Sequence, residues 1–337
     1  MTFTAIGDLA QSLQLRRENA RLSADLQRLT TELATGRKAD LRTSLSGDFG
    51  SLAAFEATIT RLDAFNTAAA EARQRADTVQ LSLGLVAEEA GRAANSLLLS
   101  ETGGQPALVD IAAGDAARVF DTAISALNVQ FAGETLFGGR STDGPALADT
   151  ETILAALETA ATGAGVATAA DLEAVVDAWF APGGDFDTVA YLGTTDPRAP
   201  ARIGPNSEAA APPLASDPAL RDTLASLALA TLVDRGALPG LFEERAAATQ
   251  RAGEKLIQSG DALTDVRAAV GVSQERIALA ETTNAAERAA ADLARNELIA
   301  ADPFEAATAL EATRVQIETL FSITARLSRL SLSEFLR

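Results

Sequence analysis

Leu15, Leu22, Leu26, Leu29 and Leu33 recur at spacings of 7, 4, 3 and 4, which is one face of a helix running from about residue 12 to 34. Arg16, Arg17, Asp25 and Arg28 occupy its other sides. A stripe this narrow cannot be buried by its own helix, so it requires a partner. The stretch 35–50 (TGRKADLRTSLSGDFG) breaks the period with three glycines and several Ser, Thr and Asp residues and reads as a connector. Leu52, Phe55, Ile59, Leu62, Phe65, Val79, Leu83 and Val86 then predict a helix over about 51–99, stopped by Gly103, Gly104 and Pro106. A further helix is predicted over 108–130, carrying Leu108, Ile111, Val119, Ile124 and Leu127.

From Phe131 to about Gly240 the period is lost among prolines, glycines and isolated aromatic residues. Short β-compatible pieces stand at 188–192 and 201–203, and 217–232 reads as a helix with Asp217 as cap and Pro218 at its first position. A long helix is predicted over 241–300, with Leu263, Val266, Val270 and Ile277 on one side. Asp302, Pro303 and Glu305 then mark a fresh helix start. The last helix presents Leu310, Ile317, Leu320, Phe321, Leu327, Leu330, Leu332, Phe335 and Leu336, with no later element to cover them.

The expected fold is mainly α: a long antiparallel coiled-coil or bundle rod formed by the N- and C-terminal segments, with a small α+β insert between. At 337 residues the chain exceeds what one core usually supports. Three parts are expected: residues 1–42 with 303–337 as terminal helices, 43–142 with 236–302 as a helical rod, and 143–235 as an acidic insert. That insert is expected to face water and to tolerate deletions within 145–215.

Composition narrows the chemistry. The chain has no Cys and no His, which removes disulfides, thiolate zinc sites and Ser-His or Cys-His catalysis. Aromatic residues are 4% of the chain, so its cores must be built from Ala, Leu and Val on closely packed helices. A formal net charge of −18 opposes nucleic acid and anionic membrane surfaces as partners. Residues 143–234 concentrate it, with 14 acidic against 3 basic residues, a net of −11. The N-terminus lacks the basic stretch and apolar run of a cleavable secretory signal.

Four groups of residues could carry chemistry. Gly133 to Gly138 has phosphate-loop glycine spacing, but Gly139-Arg140 follows where Lys and Ser or Thr are needed, so a glycine turn or hairpin is expected. Asp185 and Asp187 offer too few ligands for Ca²⁺. The pairs Glu88-Glu89 and Glu243-Glu244 point in different directions on helices and read as solvated. Trp179 beside Phe180 reads as the core of a small domain. No catalytic, cofactor-binding or metal residue is expected, and no cofactor.

Three segments carry a resemblance. Leu22 to Leu41 (LSADLQRLTTELATGRKADL) resembles the first helix and connector of flagellin-like axial proteins, with Thr35-Gly36-Arg37 where that family has Ser-Gly-Lys or Ser-Gly-Arg. Phe131 to Arg140 (FAGETLFGGR), with Pro145 after it, is similar to a motif of the hook-filament junction family within that superfamily. Residues 323–337 (ITARLSRLSLSEFLR) are close to its Leu-Ser-Leu ending, and Tyr191-Leu192-Gly193 matches loosely. Ser46-Gly47-Asp48-Phe49 departs from the Asp-Asp-Pro or Asp-Asp-Ala of the family connector.

The resemblance implies a structural, non-enzymatic component of the bacterial flagellum. It would be exported without a cleaved signal through the flagellar export apparatus, with an export chaperone, to the extracellular hook-filament junction. Its partners would be a hook-associated protein, flagellin and copies of itself in a junction layer. The assembly interface would be Leu15, Leu22, Leu26, Leu29 and Leu33 with Leu310, Ile317, Leu320, Phe321, Leu327, Leu330, Leu332, Phe335 and Leu336. A filament flagellin proper and an unrelated cytoplasmic coiled-coil scaffold are the alternative readings.

Overall fold

The computed structural model describes residues 3–102 and 105–335, with side chains over 10–100 and 105–326. The elements in chain order are α1 (Phe3–Thr35), α2 (Leu41–Ser44), α3 (Gly50–Thr102), α4 (Pro106–Leu127), β1 (Gln130–Phe131), β2 (Glu134–Thr135), α5 (Thr150–Ala164) and α6 (Ala169–Phe180). A π-helical turn (Phe186–Ala190), β3 (Ala201–Arg202), β4 (Glu208–Ala209), α7 (Pro218–Asp234), α8 (Phe242–Ile299) and α9 (Pro303–Phe335) follow. The protein is mainly α with a small α+β part, as the periodicity predicts. It divides into two compact units, Met1–Asp63 with Ala286–Arg337 and Ala64–Ala285, so the boundaries fall inside α3 and α8 and not at the expected 42/43, 142/143, 235/236 and 302/303.

In the first unit α1 packs against α9, and the turn after α1 pairs with the turn before α9. Gly36, at φ 67°, ends α1, its N–H bonding the Glu32 carbonyl at 2.8 Å. Lys38 N–H then donates to the Ile299 carbonyl at 2.8 Å, and Ala301 N–H to the Gly36 carbonyl at 3.0 Å. The end of α1 is thereby fixed beside the start of α9, and the two helices run antiparallel. The connector that departs from the family pattern is ordered by its own caps. Asp40 accepts from Thr43 N–H and hydroxyl at the start of α2, and Asp48 accepts from Gly50 N–H at 2.9 Å at the start of α3. Ser46 and Gly47 both have positive φ there. Asp63 on α3 pairs with Arg288 on α8 at 2.5 Å.

The second unit is organised around α7. Leu220, Leu224, Leu227, Leu229 and Leu232, with Ala219, Ala225, Ala228 and Ala230 between them, put apolar groups all round the helix, and all nine are buried. A helix apolar on every side belongs inside. Its neighbours are α4, α5 and α6, and one continuous core runs from Leu83 and Leu97 on α3 through Phe120 and Leu127 on α4 to Leu172, Trp179 and Phe186, then to Leu256 and Leu263 on α8. Residues 143–235 are therefore part of the main core and not a water-facing insert. Deleting 145–215 would remove Leu147, Trp179 and Phe186 from that core, so the expected tolerance to such deletion is withdrawn. The sequence pointed the other way because none of the segment's acidic residues is buried: most stand on turns, on the outer sides of α5 and α6 and toward the ends of α7, while the apolar residues between them face inward.

The Phe131–Arg140 motif forms a hairpin and a close backbone crossing, not a phosphate cradle. Ala132 and Gly133, at φ 52° and 82°, make the two-residue turn between β1 and β2. Further on, Gly138 carbonyl accepts Thr194 N–H at 3.0 Å, and Arg140 N–H reaches Thr194 Oγ1 at 3.0 Å. A Cβ on Gly138 would stand 2.5 Å from the Ser141 carbonyl oxygen, and one on Gly139 2.6 Å from the carbonyl oxygens of Asp196 and Thr194. A Cβ on Gly193 would meet the Tyr191 ring at 2.6 Å and Gly138 O at 2.7 Å. The two segments of the resemblance, around Gly138 and around Tyr191 to Gly193, are thus in contact.

Residues 188–192, β-compatible by composition, do not form a strand. Tyr191 N–H bonds the Phe186 carbonyl at 2.8 Å across a π turn, and only Tyr191 pairs in strand fashion, with Leu147. Asp187 fastens the turn, accepting Gly183 N–H at 2.7 Å and pairing with Arg221 at 2.5 Å. Arg221, buried on α7, also donates to the Phe180 carbonyl at 3.0 Å and lies 4.6 Å over the Phe186 ring. The expected strand piece at 201–203 is present, as β3 paired antiparallel with β4. That hairpin joins a small core of Ala69, Ala72, Ile203, Ala209, Ile277 and Ala280.

Gly139→Ala combines a left-handed backbone with a steric clash and is expected to lower unfolding free energy by about 2–4 kcal/mol in urea titration. Gly144→Ala, whose added Cβ meets nothing within 4 Å, is expected to change it by under about 0.5 kcal/mol. Equal effects would remove the crossing from the account of this motif.

Burial alone would raise the Asp187 carboxyl, but Gly183 N–H and Arg221 together hold it below the usual carboxylate range. A depressed folded pKa gives stability that is complete above the unfolded value of about 3.9 and is lost as pH falls through the folded one. Asp187→Asn is therefore expected to lower stability at pH 7 by about 2–4 kcal/mol and to flatten the loss below about pH 4. Trp179, the single tryptophan, lies 4.8 Å from Phe180 and 6.1 Å from Phe186 and reports this by fluorescence.

Candidate assembly surface

Helices α1 and α9 pack against each other, and the described residues expected at the assembly interface differ in how far they are buried. Leu22 and Leu29 are buried, and Leu15, Leu26, Leu310, Ile317 and Leu320 are half-buried. Ala306 and Thr313 complete the buried side of α9. Two positions differ from expectation. Leu33 is 43% exposed, and Phe321 is 58% exposed on the flank of α9. Leu327, Leu330, Leu332, Phe335 and Leu336 have side chains outside the described residues.

The seam closes on a polar end that the leucine pattern did not reveal. Glu32 is buried on α1, and its carboxylate takes Arg28 Nη1 at 3.2 Å and Ala39 N–H at 3.0 Å. A buried carboxylate needs such partners, and here it ties the helix to its connector. Arg28 also approaches Asp25, and Arg21 pairs with Glu18, so the basic side of α1 is occupied by acidic neighbours on the same helix. At the start of α9, Asp302 Oδ1 accepts Phe304 N–H at 2.8 Å and Glu305 N–H at 3.1 Å.

Two further apolar residues of α9, outside the expected stripe, are also exposed. Phe304 is 82% exposed and Val315 is 58% exposed, and eleven residues at 100° per residue bring them to the same side of α9, opposite Ala306 and Thr313. Their 11-residue spacing was readable, but the leucine stripe on the other side dominated the pattern.

Some of the carboxylates singled out as possible chemistry have structural partners, while Glu88, Asp185 and Glu243 are exposed. Glu89 pairs with Arg92, Glu244 accepts Ala169 N–H at 2.6 Å, and Asp187 is engaged as described above. Among the described residues no group of three or more acidic side chains is arranged to hold a metal ion. Among them, too, no helix is long and apolar enough to cross a membrane.

No protein-family model matches the sequence, and no curated protein matches it. Among solved structures, a "putative flagellar hook-associated protein" from Vibrio parahaemolyticus is similar to 73% of this chain over 95% of its own, at 15% identity and a TM-score of 0.47.

Replacing Leu22 and Leu29 together by Asp places two charges in the buried seam, at a cost of several kcal/mol. Limited proteolysis with mass determination is expected to show α1 and α9 cut first, while the Trp179 unfolding transition of the second unit stays in place. Phe304→Ser with Val315→Ser should leave the protease pattern unchanged, since exposed substitutions usually cost under about 0.5 kcal/mol. Identical patterns for the two double variants would mean that the seam does not hold the terminal helices.

Proposed function

We propose that this chain is an extracellular structural component of the bacterial flagellum, placed at the junction between hook and filament, and that it works mechanically, without catalysis or a cofactor. The observation that carries the reading is the antiparallel pairing of the first and last helices, with Phe304 and Val315 left uncovered on α9. Terminal helices of this kind suit a subunit that joins others through its ends, because exposed apolar groups gain roughly 1.5–3 kcal/mol each on full burial. The motif resemblance adds to it: Gly138, Gly139 and Gly193 are needed for one close crossing, so the motif is architectural and not chemical.

On this reading the chain leaves the cell through the flagellar export apparatus with a chaperone, uncleaved. It then contacts a hook-associated protein on one side and flagellin on the other, in a layer of its own copies. In the source bacterium, deleting the gene is expected to leave hooks without filaments and to release flagellin into the medium. Antibody labelling of the complemented strain should mark a narrow band at the hook tip. Labelling along the whole filament would make the chain a filament flagellin, and labelling confined to the cytoplasm would make it a scaffold; either overturns the proposal.

A further inference from the structure

An open cleft of about 230 Å³ lies in the second unit, among Ala72, Ala76 and Val79 on α3, Val266 and Val270 on α8, and the strap 198–213. Its walls are small and apolar because the strap is held off the helices by specific polar ties. Ala210 N–H donates to Ser273 Oγ at 3.2 Å, and Asn284 Nδ2 donates to the Ile203 carbonyl at 2.8 Å. These bonds fix the strap at a distance that Ala and Val side chains do not fill. An apolar cavity of about 150 Å³ is enough to admit benzene, so the space fits a single ring with a short substituent.

The rim of the cleft is charged. Arg198 bonds Glu134 at 2.6 Å, and Arg75 approaches the same carboxylate at 3.6 Å while lying 5.7 Å over the Phe131 ring. Two guanidinium groups therefore share one carboxylate. Arg75 Nε and Arg198 Nη1 are buried with no hydrogen-bond partner, which leaves donor capacity unused beside the cleft. Asp217, the remaining charged residue of the lining, caps α7 and accepts Ala219 N–H at 3.1 Å, where the positive end of the helix offsets its charge. Glu134 and Asp217 thus balance the two guanidinium groups in formal charge, and what the rim offers an anion is the unused donors Arg75 Nε and Arg198 Nη1.

We propose that this cleft is a binding site for a small carboxylate with an apolar body, about the size of phenylacetate, its ring between α3 and α8 and its carboxylate beside Arg75 and Arg198. The apolar walls supply affinity and the guanidinium pair supplies preference for the anion. The proposal is independent of the flagellar reading.

Calorimetry and thermal unfolding of the full chain with phenylacetate and its neutral analogue phenylacetamide test it. Phenylacetate is expected to bind saturably and raise the unfolding temperature, with phenylacetamide at least about tenfold weaker. Ala76→Leu should fill the cleft and abolish binding without lowering the unfolding temperature, and Ala269→Leu takes its place if that variant proves unstable. Arg198→Gln should bring phenylacetate down to the affinity of the amide. No saturable binding up to about 10 mM, equal affinity for acid and amide, or binding unchanged in a folded cleft-filled variant would each overturn the proposal.

Discussion

Helix α7 has no solvent face, and the second unit follows from that constraint. A helix buried all round must be met on each side by another apolar surface, and α4, α5 and α6 supply three of them. With so few aromatic residues, close packing has to come from small side chains, and alanines between the leucines of α7 allow the neighbouring helices near approach. The same requirement appears between α3 and α8, where a Cβ on Gly253 would stand 3.0 Å from Leu98 and 3.2 Å from the Ala94 carbonyl oxygen. It appears again at the crossing of Gly138 and Gly139 with Gly193 and Thr194, where backbone lies directly on backbone. Arg221 enters this interior as part of a closed set with Asp187, the Phe180 carbonyl and the Phe186 ring.

The terminal helices obey a different rule. Their seam buries Leu22 and Leu29 fully, but most other members remain half-exposed, and Phe304 and Val315 have no cover in the chain. Large apolar residues are exposed in both units, Leu81, Leu99 and Leu279 in the second and Leu293, Phe304 and Phe321 in the first, but only the second also holds an extended buried core.

What the sequence disclosed depended on how many faces an element buries. Elements with one buried face were legible. The leucine period of α1, the Asp302-Pro303 start of α9 and the Asp217 cap of α7 all stand where the pattern puts them, because each signal is local. Elements buried on several faces were not: α7 was recognised as a helix but assigned to a surface insert, since total burial has no period and acidic residues flank it. The π turn was missed because Thr188 to Leu192 has the composition of a strand, while its conformation is set by Asp187 reaching Gly183 and Arg221 across 34 residues. In the assembly surface the inward leucines were readable by period. Phe304 and Val315 were readable too, by their spacing on the side of α9 opposite Ala306 and Thr313, whereas the exposure of Leu33 within its own leucine stripe was not.

Charge distribution bears on which surface could bring copies together. The span of α1, residues 3–35, holds four acidic and four basic residues, and residues 303–337 also hold four of each. Both of these spans are therefore neutral in a chain of net charge −18, so the whole excess lies between them, and residues 143–234 alone contribute −11. Like-charged copies repel over a Debye length of about 8 Å at physiological salt, and contacts through the acidic middle would work against that repulsion. Contacts through α1 and α9 would not. Their acidic and basic side chains are already matched in several places, Arg21 with Glu18 and Arg28 with Asp25 and Glu32, so apolar groups such as Phe304 could be buried between copies without adding unpaired charge to the interface. Phe304 and Val315 thus lie on a helix where copies of this chain would meet less electrostatic opposition than at the acidic middle.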